Sequence, residues 1–124
     1  MINKIFLFVA AFFLLAWGIA HLFPTNSIVE GFGGISIDNQ RIITMEWIIE
    51  GVALIFLAVI IASVTYIDYT SIISKTIYLI AALMLITLTV VSFFTGFKIN
   101  FLPFRLCPVI FIASSVLILL GRFI

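Results

Sequence analysis

Four residues of this chain have types and positions that could support chemistry: His21, Glu46, Glu50 and Arg105. Each falls near the end of a long apolar segment, and the chain's path puts all four on one side of a bundle. Glu46 and Glu50 are four residues apart, so in a helix they share one face, with Glu50 about 6 Å deeper than Glu46. A carboxylate in lipid without a partner costs roughly 2.5–3.5 kcal/mol on insertion scales. Both acids are therefore expected to face inward, with at least one within ion-pair reach of Arg105, Arg41 or His21. Three chemistries fit. Glu46, Glu50 and His21 offer carboxylate and imidazole donors to a divalent metal, but E-x-x-x-E is common in helices, so they are weak candidates and no metal site is assigned. Glu50 with its neighbours could move protons or hold a cationic or quinone-like ligand. The plainest reading is an ion-pair network of Glu46 or Glu50 with Arg105 or Arg41 that fixes how helices dock. Glu50, as the deepest acid, is the residue expected to matter most.

Other chemistries find little support. His21 is the only histidine, so no haem-type histidine pair exists. Ser, His and Asp form no evident nucleophilic triad, which disfavours hydrolase chemistry. Cys107 is the only cysteine, so neither an intrachain disulfide nor a Cys-rich metal site can form. It reads as a small packing residue, since a reactive thiol needs an electropositive, exposed setting. A net charge of +1 gives no basic stripe for nucleic acid. The residues identify no cofactor.

The elements that carry these residues follow from composition. Hydrophobic residues make up 65% of the chain and charged residues 9%, against about 45–50% and 25% in soluble domains. Lipid must act as the solvent. Four segments are long and apolar enough to cross it, at about residues 5–23, 39–67, 74–94 and 103–121 of a single domain. The first, with Lys4 before it and Gly18-Ile19-Ala20 near its end, has some features of a signal peptide. Its apolar run exceeds the usual h-region and three more segments follow, so it is read as a retained helix. Pro24 ends it. The first connection, 24–38, holds Ser27-Ile28-Val29-Glu30, which reads as a capping box for a short interfacial turn. Asp38 is the expected N-cap of segment two. Segment four must begin near Pro103, because Pro108 to Gly121 spans only about 21 Å; Pro108 should then bend it.

Trp17 and Trp47 at one end, and Tyr66, Tyr69 and Tyr78 at the other, are expected to form interfacial belts. Ala16/Ala20 and Ala58/Ala62 would permit close helix approach, and Thr87, Thr89, Ser92, Ser114 and Ser115 could hydrogen-bond between helices or to their own backbone. The basic residues divide evenly: Lys4, Lys75 and Arg122 on the side of the termini, Arg41, Lys98 and Arg105 on the other. If Arg41 and Arg105 are engaged in ion pairs, the balance leans to termini inside.

The long first connection, the Gly18-containing end of segment one and the acidic start of segment two, Met45-Glu46-Trp47-Ile48-Ile49-Glu50-Gly51, resemble the small four-helix bacterial membrane proteins of the DoxX-like type. The resemblance covers most of the chain as topology and transfers no catalytic residue. It implies an all-α integral membrane protein, a four-transmembrane-helix up-down bundle, in the bacterial cytoplasmic (inner) membrane. Members of that type are in some cases linked to redox or sulfur metabolism. The function expected here is a non-enzymatic binding or transport unit, or an accessory subunit of a membrane complex. The alternative is a membrane-embedded enzyme or redox partner using the His21–Glu46–Glu50–Arg105 pocket. The expected partners are the lipid bilayer and a second copy of the chain or a larger membrane complex, and no nucleic acid.

Overall fold

Serine side chains, apolar runs and glycines set the boundaries of the elements in the computed structural model, which describes all 124 residues. The elements are α1 (Ile2–Leu22), α2 (Thr25–Gly31), α3 (Ile37–Asp68), α4 (Ile72–Phe94), a single 3-10 turn (Gly96–Lys98) and α5 (Leu102–Phe123). Helices α1, α3, α4 and α5 are each long and apolar enough to cross a membrane, and α2 lies in the first connection. The protein is an all-α membrane bundle. With four crossings, both termini lie on the same side.

The caps differ from the expected ones. Ser36, rather than Asp38, caps α3, its hydroxyl accepting from the Asn39 N–H at 3.2 Å. Asp38 sits in the first turn, where a negative charge complements the helix dipole. Ser71 caps α4 in the same way, accepting from Ser74 N–H at 3.1 Å. Ser27 forms no capping box. The chain re-enters helix directly after Pro24, with Ile28 N–H donating to Pro24 O at 2.9 Å, so Ser27 is already inside α2. Gly33, at φ +73°, is the one residue in the left-handed region and follows the end of α2. Helix α5 starts at Leu102, with Pro103 in its first turn and Pro108 inside it, where the missing N–H removes one backbone hydrogen bond.

Helix α1 is the centre of the packing. It lies against α3 on one side and α5 on the other, α5 packs on α4, and α3 and α4 touch only sparsely. Leu7, Leu14, Leu54, Ile61, Leu85, Phe111 and Ile118 fill the core, while residues such as Phe12, Phe56, Ile80 and Leu83 face outward to lipid. Glycines bring α1 and α3 close together, and of the expected alanines Ala58 is buried in the core with Ala62 packed against it. A Cβ on Gly18 would lie 2.9 Å from Gly51 O, and one on Gly51 would lie 3.1 Å from Gly18 O. Ala16 and Ala20 are exposed, because the α1 face that meets α3 passes through Gly18. At the far end of α1, a Cβ on Gly121 of α5 would meet Leu7 Cγ at 2.6 Å.

Two of the five aromatics expected in belts belong to the interior instead. Tyr78 is fully buried. Thr65 donates to Ile61 O at 2.6 Å, so its oxygen accepts from the Tyr78 hydroxyl at 2.9 Å, tying α4 to α3. This partner lets a phenol leave the interface. Trp47 is also buried. Ser115 donates to Ala82 O across α5 and α4 at 3.1 Å, whereas Thr87 and Thr89 return to their own helix, at Leu83 O and Leu85 O.

Candidate functional site

Three of the long helices bring one polar side chain each to a common point near one membrane face. His21 lies in the last turn of α1, Glu50 in α3, and Cys107 five residues into α5. At 1.5 Å per residue the point is about one to two turns below that face. The Gly18–Gly51 crossing accounts for the convergence. His21 is one turn beyond Gly18 on the same face of α1, and Glu50 precedes Gly51, so backbone contact between α1 and α3 draws the two side chains together.

The imidazole is held by aromatic packing and lies within ion-pair reach of Glu50, as expected for at least one of the two acids. Its ring stacks on Trp47, with centroids 3.8 Å apart and planes at 15°. The same Trp47 donates its indole N–H to the His21 carbonyl at 2.6 Å and meets the edge of Phe104 at 5.4 Å. His21 is 5% exposed. Its Nε2 lies 3.3 Å from Glu50 Oε2, within ion-pair distance, yet the atom is buried and has no hydrogen-bond partner. Cys107 is buried as a free thiol, with Trp17 nearby; the Trp17 indole nitrogen is likewise buried without an acceptor. One donor atom from each of His21, Glu50 and Cys107 lies within 4.8 Å of the other two.

These groups line a cavity of about 360 Å³. Its other walls come mainly from the end of α4, including Ser92 and Thr95, and from Phe104. The cavity lies where the sparse α3–α4 contact leaves room. The polar contacts linking those two helices gather at the opposite end, at Thr65–Tyr78 and at Ser74, whose hydroxyl donates to Asp68 O at 2.6 Å. Glu50 is the half-exposed member of the cluster, with 41% of its side chain uncovered.

The other two candidates fall elsewhere. Glu46 is exposed and does not face inward. It is on the His21 side of the bundle, but the turn between it and Glu50 is enough to rotate it off the α1–α3 seam, at a level where the headgroups can solvate it. Arg105 is exposed and binds its own loop, with Nε to Ile99 O at 3.3 Å and Nη2 to Asn100 Oδ1 at 3.4 Å. It forms no ion pair with Glu46 or Glu50, because it leaves α5 on a different side from Cys107. Arg41 pairs only with Asp38, at 3.8 Å on the exposed surface. The docking network of Glu46 or Glu50 with Arg41 or Arg105 does not form, and the lean toward termini inside loses the ion pair invoked for Arg105. Cys107 is packed in the hydrophobic core, as its sequence context suggested, and its sulfur also joins the cluster. The available signal was its place in the first turns of segment four, at the same membrane face as His21.

Chemically, the arrangement offers one nitrogen, one carboxylate and one sulfur donor around a space open to a cavity. Comparison with protein-family models, curated proteins and solved structures finds no match to this chain.

Proposed function

We propose that this integral membrane protein is a non-enzymatic binding unit, and that its ligand occupies the cavity between α1, α3, α4 and α5 at the His21–Glu50–Cys107 cluster. The observation that carries this reading is His21 Nε2: a polar atom of a side chain 5% exposed, facing a cavity, with no hydrogen bond. Its nearest polar neighbour is Glu50 Oε2, at 3.3 Å and without hydrogen-bond geometry, so a ligand that engages both groups would satisfy the buried nitrogen. Stacking on Trp47 holds the ring in place beforehand, so little ordering is required on binding. An acid inside a membrane protein is a functional-site hypothesis by default, and Glu50 reaches both the cavity and the histidine.

In this reading the chain is a small four-helix protein of the bacterial inner membrane, related in kind to the DoxX-like proteins, that binds or passes on its ligand alone or as a subunit of a larger membrane complex. Native mass spectrometry of the full chain released from mild detergent tests it. The wild type should retain an added mass that the Glu50→Gln variant loses while remaining folded. A wild-type chain that carries nothing, under conditions that preserve annular lipid, would overturn the reading.

A further inference from the structure

We infer that the ligand is a divalent transition-metal ion of the zinc class, bound by His21 Nε2, the Glu50 carboxylate and the Cys107 thiolate; this rests on the binding reading above. Three features of the site support it. The first is donor type. Imidazole, thiolate and carboxylate are the groups that bind zinc, whereas calcium and magnesium require six or more oxygen donors, and this cluster supplies one carboxylate. The second is spacing. Around a tetrahedral ion with bonds of about 2.0–2.3 Å, donors stand about 3.3–3.8 Å apart. His21 and Glu50 are at 3.3 Å and no donor pair of the cluster exceeds 4.8 Å. Rotamer adjustments of about an ångström in Glu50 and Cys107 would close the set. The third is charge. A thiolate and a carboxylate together neutralise a divalent cation, leaving an uncharged complex, the form that a low-dielectric setting tolerates.

The surroundings suit an ion that comes and goes more than a structural one. Three protein ligands leave a coordination position open, and the cavity that the three residues share with Ser92 and Thr95 has room for a water or an exchanging ligand. Glu50, 41% uncovered, is the donor that can swing furthest toward an entering ion, while stacking on Trp47 and burial hold His21 in place. Trp17 has a buried indole N–H near the sulfur, which is the type of group that supports a metal-bound thiolate from outside the ligand set. Glu46 has no part in the site because it lies outside the seam.

The full chain in mild detergent is titrated with Zn²⁺ against a chromophoric chelator, and separately with Co²⁺, whose thiolate-to-cobalt charge-transfer absorption reports sulfur ligation. The expected result is one equivalent of metal per chain, a Co²⁺ charge-transfer band in the wild type, loss of that band in Cys107→Ser, and affinity weakened about tenfold or more in Cys107→Ser and Glu50→Gln. Cys107→Ser is nearly isosteric, so the test stands even if His21→Ala fails to fold. Absence of saturable Zn²⁺ and Co²⁺ binding, or binding that Cys107→Ser leaves unchanged, overturns the metal assignment. If mass spectrometry of the same sample then shows a retained organic molecule lost in Glu50→Gln, the cavity is a binding site for another ligand. If it shows neither metal nor molecule, both readings fall.

Discussion

Glu46 and Glu50 differ by one helical turn and by everything that follows from it. Glu46 is exposed, so Glu46→Gln should change stability by no more than about 0.5 kcal/mol, as for ordinary surface substitutions, and leave metal and ligand retention at wild-type levels. Glu50→Gln should keep the fold and lose retention. Equal behaviour of the two variants in unfolding and retention would show that position in the seam does not matter. Trp47 makes a second residue-scale case, because one side chain supplies both the stacking surface for His21 and the donor for its carbonyl. Trp47→Phe keeps an aromatic face and removes the N–H. It should cost about 0.5–1.5 kcal/mol in detergent unfolding and leave the site able to bind.

At the scale of elements, the α1–α3 crossing controls the site. Gly51 has backbone and side-chain atoms of α1 where a Cβ would go, whereas Gly31 in α2 has nothing within 4 Å. Gly51→Val should therefore destabilise the bundle by about 1–3 kcal/mol through overpacking. Gly31→Ala should be neutral or stabilising by up to about 1 kcal/mol, since helical glycine is unfavourable. SDS-driven unfolding of the two variants measures both. Gly51→Val should also weaken Zn²⁺ binding, because the crossing sets the His21–Glu50 distance; full metal affinity in a destabilised Gly51→Val protein would separate the two effects and contradict the argument. The other end of the bundle is independent of this. Tyr78→Phe removes the hydroxyl donated to Thr65 while Thr65 keeps its bond to Ile61. The loss should be about 0.6 kcal/mol, typical of hydrogen bonds between membrane helices, with metal binding unchanged.

For the molecule as a whole, the arrangement is a ring of helices with one loose seam. The α3–α4 connection is short and tied by Ser71, Ser74 and Thr65, while at the opposite end the two helices leave room for the cavity. On the side of the termini, Arg122 donates to Lys75 O at 2.9 Å, and Lys4 lies 5.1 Å from the centre of the Tyr69 ring. Four crossings require Lys98 and Ile124 to lie on opposite faces of the membrane. In a Cys107→Ser background, Lys98→Cys and Ile124→Cys in sealed vesicles should react with an impermeant thiol reagent from opposite sides. Labelling of both from one side would disprove the four-span topology.

The sequence by itself determined that this is a membrane protein and an all-α bundle. Runs such as Phe6–Ala20 and residues 76–97 hold no charge, and in lipid a backbone without water must satisfy its hydrogen bonds within the helix. Local rules reached less far at the helix ends, where Ser36 and Ser71 took the capping roles and the Ser27 box did not form, because a cap depends on the path by which the chain enters the helix. The candidate site was legible only in part. Depth along a helix can be counted from the sequence, and it singled out Glu50, while topology alone put His21, Glu46 and Arg105 on the same side. Rotation about the helix axis relative to a neighbour cannot be counted, since it is set by which faces pack. Only the tertiary structure decided that Gly18 and Gly51 make the crossing, that Glu46 and Arg105 turn away, and that Cys107, 86 residues beyond His21 in the chain, comes within 4.8 Å of it.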